Sequence, residues 1–525
     1  IDQIRTTLAL LPRTIEAGSD EFRQQSQLLA EMEEISLKQD TFLARHALSR
    51  LPVDMVFPPQ IRVSDMRIEM RPDQLGLVSF ATYNGIHLFL VDSNMTQYLG
   101  MASHRDLQRQ IPAILKGIGA SEAFIDVPSL QSDSWKKIAE QATQALLGEI
   151  SADDWSRYKE LVIVPDGVLW YFPFEIVQAK RGDETFNLSD LIDIRYSPTL
   201  SLGFIEQRPY REIRSTAVGL SKVHLKGDSQ VAKDAFETLT TDLPEAVKFE
   251  SVSKNISTRL LTTLFDQFIF WEEILLGRSG NPFDLAPLGM GPAEPTPFRN
   301  WFRLPLKGPE HVILSSFHSD AGTGLKGKRA GADLFMTSIV LMGSGSRSAV
   351  ISRWRTGGAN SLAFTTHYAS KTPSMPTAQA FRESLTFAKE QELNFALEPQ
   401  IRTKRGDPTI KADHPYFWAG WMRFEIPATN LPWNKSAEDQ EILADDLPKM
   451  EENQDKEPPK GAEEQDKIQD KIQDKDQDKT QENQKDPIQE KGEGETKIKN
   501  TDTVPKSNQG TPPIGNSQGS TDDNR

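Results

Sequence analysis

Four consecutive apolar residues, Leu161-Val162-Ile163-Val164, run straight into Pro165-Asp166-Gly167. Successive side chains of a strand point to opposite faces, so a run without polar alternation is a strand buried on both sides. The proline, aspartate and glycine after it close it with a turn. A strand of this kind needs layers above and below it, which is the arrangement of alternating strands and helices. Similar runs recur at Ser215 to Leu220, Leu264 to Phe270, Val312 to Phe317 and Ser348 to Ser352, with helical stretches such as Ala330 to Met342 between them. The expected fold class is α/β, a mostly parallel sheet covered by helices on both faces.

Residues 1 to about 55 carry apolar residues at helical spacing: Ile4, Leu8, Leu11 and Ile15, then Leu28, Leu29, Met32 and Ile35. They read as two or three helices packed on a neighbouring layer. From Arg67 the pattern changes to short apolar runs, residues 75–80 and 86–91, on either side of Asn84-Gly85. That dipeptide between two such runs is a strong hairpin signal. Residues 105–148 read as helical. Beyond Leu431 the chain turns to Glu, Asp, Lys, Gln and Pro, and Asp466 to Lys479 repeats Asp-Lys-Ile-Gln with a period of four. Such a composition buries too little apolar surface to offset the entropy of ordering. The expected organisation is a helical segment over 1–60, an accessory first half over 61–210, an α/β core over 211–430 and a disordered acidic low-complexity tail over 431–525.

The net charge of −15 is uneven: residues 436–525 hold 24 acidic and 13 basic residues, so most of the excess lies in the tail. The rest is nearly balanced, without the basic face that phosphate neutralisation needs, and no nucleic-acid partner is expected. There is no cysteine, which excludes disulfides and thiolate metal sites. No apolar run approaches the roughly 18 residues that span a bilayer. The best candidate, around Ile339 to Trp354, is interrupted by Gly343, Gly345 and Arg347. A cytoplasmic setting is expected for this stretch, which begins at Ile1 and not at a Met and so leaves open a leader, an anchor or whole upstream domains before it.

Four segments, in order, are similar to the CHAT domain, a caspase-like family related to caspases and separases. Residues 161–175, Leu-Val-Ile-Val-Pro-Asp-Gly-Val-Leu-Trp-Tyr-Phe-Pro-Phe-Glu, resemble its strand, turn and "lPfEaL" entry, and Tyr196-Ser197-Pro198-Thr199-Leu200-Ser201 resembles its "aPSls" segment. Residues 347–354, Arg-Ser-Ala-Val-Ile-Ser-Arg-Trp, resemble the strand after the nucleophile, and residues 414–421, His-Pro-Tyr-Phe-Trp-Ala-Gly-Trp, the closing "HPyyWAaF" block. The resemblance covers roughly 65–427. It implies a caspase-like sheet and a cysteine peptidase whose base is the second His of "H-x-A-x-H-G" and whose nucleophile is the Cys of "L-S-A-C". Residues 265–274 align with the first segment and place Ile269 and Glu273 at its two His positions, while Asn281-Pro282-Phe283-Asp284 matches the stretch just after that segment in the family. Leu314-Ser315-Ser316-Phe317 aligns with the second and places Phe317 at the Cys. A phenyl ring cannot attack a carbonyl or carry an acyl group.

Rival constellations are weaker. Ser315, Ser316 and Ser319 flank His318, but neighbours on a strand face opposite ways, so His318 reads as a polar loop histidine. A distant imidazole, His224 or His367, is left to approach a serine in the fold. Gly322 to Lys328 fits G-x-x-x-x-G-K, yet Arg329 stands where a phosphate loop uses Ser or Thr on magnesium. Gly343-Ser344-Gly345-Ser346 reads as a helix stop. Tyr416, Phe417, Trp418 and Trp421 read as core and not as a base-stacking surface. Asp166 and Glu175 are expected to make turn or backbone hydrogen bonds. No two histidines lie at metal-ligating spacing, and neither metal nor cofactor is expected. The expected function is a non-catalytic pseudo-protease that binds a protein or peptide. The alternatives are a peptidase with another nucleophile, or a nucleotide-responsive switch through residues 322–328.

Overall fold

The computed structural model describes residues 2–12, 18–49, 62–220, 230–243, 245–248, 265–271, 274–275, 286–287, 309–316, 325 and 330–430. All belong to a unit spanning Ile1–Ala444. The tail expected from residue 431 lies outside the described residues.

The chain opens with helices α1 (Asp2–Leu10) and α2 (Asp20–Ser49). Ser19 starts the second, its hydroxyl accepting the Phe22 N–H at 3.1 Å. Asp20 and Glu21 add negative charge to the first turn, where the helix dipole favours it. Ile4, Leu8, Leu29 and Met32 are buried in the main core, on the faces that the spacing predicts. Helix α3 (Val63–Glu69) then leads into β1 (Gln74–Ala81), β2 (Gly85–Val91) and β3 (Thr96–Ser103). The first two pair antiparallel around the Asn84-Gly85 turn, from Gly76↔Val91 to Ala81↔Ile86.

Residues 105–148, expected to be helical, form two long helices, α4 (His104–Gly117) and α5 (Ser134–Leu147), with the short strand Ile125–Asp126 and a single helical turn at Val127–Leu130 between them. Gly119 marks the break. Its φ is +79°, and a Cβ there would lie 2.5 Å from the Ile125 side chain, so the chain turns away at the one residue type that allows it. In α4 the buried positions Leu107, Ile111, Ile114 and Leu115 make the stripe of an amphipathic helix that covers a sheet.

The remaining strands of the main sheet are β4 (Glu160–Val164), β5 (Asp193–Tyr196), β6 (Thr216–Leu220), β7 (Ala246–Lys248), β8 (Gln267–Trp271), β9 (His311–Ile313), β10 (Ser348–Ser352) and β11 (Trp421–Glu425). Helix α6 (Gln230–Asp242) follows β6, α7 (Ala332–Gly343) precedes β10, and α8 (Ala359–Lys371) and α9 (Thr377–Glu390) follow it. The eleven strands form one sheet in the order β7-β6-β8-β9-β10-β11-β5-β4-β1-β2-β3. Pairs from β7 to β10 are parallel, as are β11 with β5, β5 with β4 and β4 with β1. Only β10 with β11 and the β1-β2-β3 hairpins run antiparallel. The expected α/β class, a mostly parallel sheet with helices packed on it, is the observed one.

Strand β11 is the last in the chain, yet it lies between β10 and β5 and so joins the two parts of the sheet. The unalternating run at β4 serves two cores. Leu161 and Ile163 enter the main cluster, while Val162 and Val164 pack with Met66 and Met70 of α3 and with Phe204 on the other face.

A largely buried ionic network ties the residues that precede β9 and β10 to the end of β11 and the start of β4. Arg347 pairs with Glu310 and Glu425, and Arg423 pairs with Glu425. Arg195 meets Glu160 at 2.9 Å, and Arg71 meets the same carboxylate at 3.0 Å. Burial alone would raise the Glu160 carboxyl, but Arg195, with Arg423 and Arg71, holds it far below the usual range. The same contest at Glu425, against Arg347 and Arg423, leaves its pKa at about 2. Buried charges are tolerated where partners answer them this closely.

Candidate functional site

Strands β8, β9 and β10 end side by side, in the register Ile269↔Ile313↔Val350. In parallel α/β sheets, ligand and catalytic groups gather at the carboxyl ends of the strands. From this edge the chain runs on from β8 towards Glu273 and from β9 towards Phe317, out of neighbouring strands. Glu273 and Phe317 themselves lie outside the described residues, as do Glu272, His224, His318 and Ser319.

Ser315 and Ser316 are described, and both are buried. The Thr365 hydroxyl donates to the Ser361 carbonyl at 2.7 Å, so in the short Ser315–Thr365 contact the Ser315 hydroxyl is the donor. The Ser361 hydroxyl in turn accepts the Trp271 indole N–H at 3.1 Å. The Ser315 carbonyl is held by two donors, Thr356 Oγ1 and Trp421 Nε1, each at 3.1 Å. Ser316 Oγ is buried with no hydrogen-bond partner. Among the described residues, neither hydroxyl has an imidazole or a carboxylate hydrogen-bonded to it. A serine nucleophile needs such a base.

His367 does approach a serine. Its Nδ1 lies 2.9 Å from Ser384 Oγ, but that hydroxyl donates to the Ala380 carbonyl at 2.6 Å, so the imidazole donates to the serine and cannot take its proton. The ring also stacks on Phe387 at 4.5 Å. This is a contact between α8 and α9, away from the strand ends.

The four family-like segments converge on one side chain, Arg353, which is fully buried. Its guanidinium reaches both Glu175 oxygens, at 2.9 and 3.2 Å, and donates to the carbonyls of Ala419 at 2.8 Å and Trp170 at 3.3 Å. Tyr196 donates its phenol to Glu175 Oε1 at 2.9 Å and stacks its ring 4.7 Å from the guanidinium. Burial would push Arg353 down, but Glu175 and Tyr196 reverse that and hold it above its ordinary value. Glu175, expected to bond backbone, is instead the carboxylate of this pair, because Arg353 is buried opposite it and only a charge can answer a charge there. Asp166 keeps its expected role. Its two oxygens accept the Gly167 and Ala81 N–H groups, each at 2.8 Å, and tie the turn after β4 to the end of β1.

The remaining candidates fall into place around this frame. Tyr416, Phe417, Trp418 and Trp421 are buried, with the indole N–H of Trp418 on the Asp413 carbonyl at 2.8 Å, so they present no stacking surface. The segment Gly343 to Ser346 closes α7, as expected. Of residues 322–328 only Leu325 is described. Helix α7 begins at Ala332 behind Gly331. Among the described residues no group of three or more His, Asp or Glu is placed to hold a metal ion, and no helix is long and apolar enough to cross a membrane. A cleft of about 590 Å³ lies at the ends of β1 and β4, lined by His104, Asp166, Trp170, Pro198, Leu325 and Phe335 among others. A wider one of about 1140 Å³ lies between α5 and residues 410–418. Neither is lined by Ser315 or Ser316.

Fold and strand-end geometry define an α/β domain with a parallel core and a closing antiparallel strand. Residues 296–424 match the family model of the CHAT domain, so the chain carries a CHAT domain. No curated protein matches the chain. Among solved structures, two of the separase–securin complex of Saccharomyces cerevisiae are similar at 9% and 8% identity, with TM-scores of 0.42 and 0.39. They match over 82% and 70% of this chain, which spans 40% and 31% of theirs. The complex of Porphyromonas gingivalis RgpB pro- and mature domains is similar at 9% identity and a TM-score of 0.31, over 62% of this chain and 76% of its own.

Proposed function

We propose that this chain is a non-catalytic, caspase-like pseudo-protease whose CHAT core, residues 211–430, with the accessory half 61–210 and the helical segment 1–60, binds a protein or an extended peptide. The observation that carries this reading is chemical. The chain has no cysteine, and the residue at the family's nucleophile position is Phe317. The hydroxyls just before it offer no substitute: Ser315 is spent on Thr365, and among the described residues Ser316 has no base. With the proton acceptor also replaced, by Glu273, the position retains neither half of the dyad. A sheet of this kind still offers strand ends and loops along which an extended chain can pair without being cut. The acidic residues 431–525 are read as a disordered tail, and a cysteine-free composition suits a reducing, cytoplasmic setting.

The test pairs binding with cleavage. The unmodified chain, incubated with a broad fluorescent peptide library, is expected to bind a subset saturably and to cut none above background. Loss of the nucleophile from a hydrolase triad lowers turnover on the order of a millionfold. The double variant Glu273→His, Phe317→Cys is expected to bind the same subset. Cleavage by the unmodified chain would overturn the non-catalytic reading, and saturable binding to no peptide would overturn the peptide-binding one.

A further inference from the structure

The carboxyl of Glu398 is 2% exposed, and among the described residues no cation pairs with it. It caps a helix to which it does not belong: Oε1 accepts the Asn360 N–H at 2.9 Å at the start of α8, whose own cap residue, Gly358, brings no side chain. Gly358 has φ +100°, and a Cβ there would lie 1.8 Å from Glu398 Oε2. Only glycine lets the carboxyl come so close. Nearby polarity is unspent, for both side-chain polar atoms of Asn360 and the Gln400 side-chain nitrogen are buried without partners.

Few charged or titratable groups face this carboxyl. Helix α8 carries none before His367, more than two turns on. From residues 414–421 comes Tyr416, whose phenol burial and then Glu398 push up, and which Arg355 pulls the other way. Burial raises the Glu398 carboxyl to about 8, against the pull of the Asn360 and Ala359 N–H groups. The carboxyl thus sits in its neutral form on a helix end. The loop it touches, residues 355–358, joins β10 to α8. It is fastened at two further points, by Thr356 Oγ1 to the Ser315 carbonyl at 3.1 Å and by the Tyr416 hydroxyl to the Arg355 carbonyl at 2.9 Å.

We propose that Glu398 is a proton-controlled latch on the loop between β10 and α8, seated while protonated and expelled on ionisation, so that proton loss frees the segment fastened to Ser315 at the strand ends. An opened segment returns the carboxyl to water, where it ionises near 4.5. Opening is therefore least favoured below pH 4.5, rises through the window up to about 8, and levels off above it.

Hydrogen exchange of the full chain at residues 356–362 tests this. Amide exchange itself quickens about tenfold per pH unit, and the latch adds a further factor of about ten, so this segment is expected to quicken about a hundredfold per unit between pH 5.5 and 7.5. Glu398→Gln is expected to show the ordinary tenfold slope, with α4 as a control at that slope in both proteins. Gly358→Ala, whose methyl group evicts the carboxyl, is expected to show at pH 6 the protection factor, corrected for the intrinsic exchange rate, that the unmodified chain reaches at pH 8. A tenfold slope in the unmodified chain, or a hundredfold slope surviving in Glu398→Gln, overturns the proposal. If Glu398→Gln does not fold, the unmodified slope and Gly358→Ala still decide it.

Discussion

Arg353→Met is expected to destabilise the protein by about 3–5 kcal/mol, the range found when one partner of a buried ion pair is removed and the other charge stays behind. The substitution keeps much of the volume, so the cost is electrostatic and polar, not a cavity. Glu175 would lose both of its guanidinium contacts, keeping only the Tyr196 hydroxyl at 2.9 Å, and the carbonyls of Trp170 and Ala419 would lose buried donors. Those carbonyls belong to different segments, so the damage spreads through the joint that gathers four parts of the chain. The double variant Glu175→Leu, Arg353→Met is expected to be more stable than Arg353→Met alone, because it leaves no orphaned charge. Urea denaturation of the two single variants and the double variant measures this. A cost below about 0.5 kcal/mol for Arg353→Met, as at an ordinary surface position, would mean that the joint is not what holds these segments together.

The joint also marks where sequence reasoning succeeded and where it stopped. Strands β4, β6 and β10 are legible because they are buried on both faces and show no polar alternation. Strand β3 is not, since most of Thr96–Ser103 is exposed or half-exposed and its pairing is imposed by the preceding hairpin. Asp166 was legible because half of its role is local, a turn closed within one residue, whereas its bond to Ala81 was not legible. Glu175 was not, because its partner lies 178 positions away. The signal available was a lone charge, Arg353, inside the apolar run before Trp354. A buried strand end tolerates an arginine only if a carboxylate waits for it, and the segment at 161–175 supplies one such residue at its end. Glu398 gave no signal at all. An unpaired carboxyl buried on a remote helix end follows no spacing rule, and only the approach of Gly358 reveals it. The family-like segments located the strand ends, and the order of β8, β9 and β10 sets the paths to Glu273 and Phe317 next to each other. What stands at those two positions rests on sequence.

Stability is expected to pass through a maximum near pH 6.5 and to fall on both sides. His311, buried at the start of β9, is lowered to about 3 by burial and by Arg347 beside it. Its unfolded value is 6.5, so the unfolded chain binds the extra proton between those limits, and stability falls as pH drops from 6.5 to 3. Glu425, at about 2 when folded and 4.5 when unfolded, removes stability in the same direction from 4.5 to 2. Glu398 works the other way, because its folded value of about 8 lies above 4.5 and stability is lost as pH rises between them. Each group contributes a slope of about 1.4 kcal/mol per pH unit within its window. His414, lowered by burial to about 4 from 6.5, acts in the same direction as His311, so between 4.5 and 6.5 the two histidines outweigh Glu398 and stability rises by about 1.4 kcal/mol per pH unit. Above 6.5 only Glu398 acts, until about pH 8. Below 4.5 His311 and Glu425 act together, at about 2.7 kcal/mol per unit, and Glu160, held down by its arginines, steepens the limb further. Urea midpoints measured from pH 3.5 to 8.5 separate these contributions. Glu398→Gln is expected to abolish the alkaline loss and to double the rise from 4.5 to 6.5, whereas His311→Gln should flatten that same interval, leaving His414 against Glu398. If both variants keep the parent profile, the charges at the two edges of the sheet are better solvated than their burial implies, and the maximum has another origin.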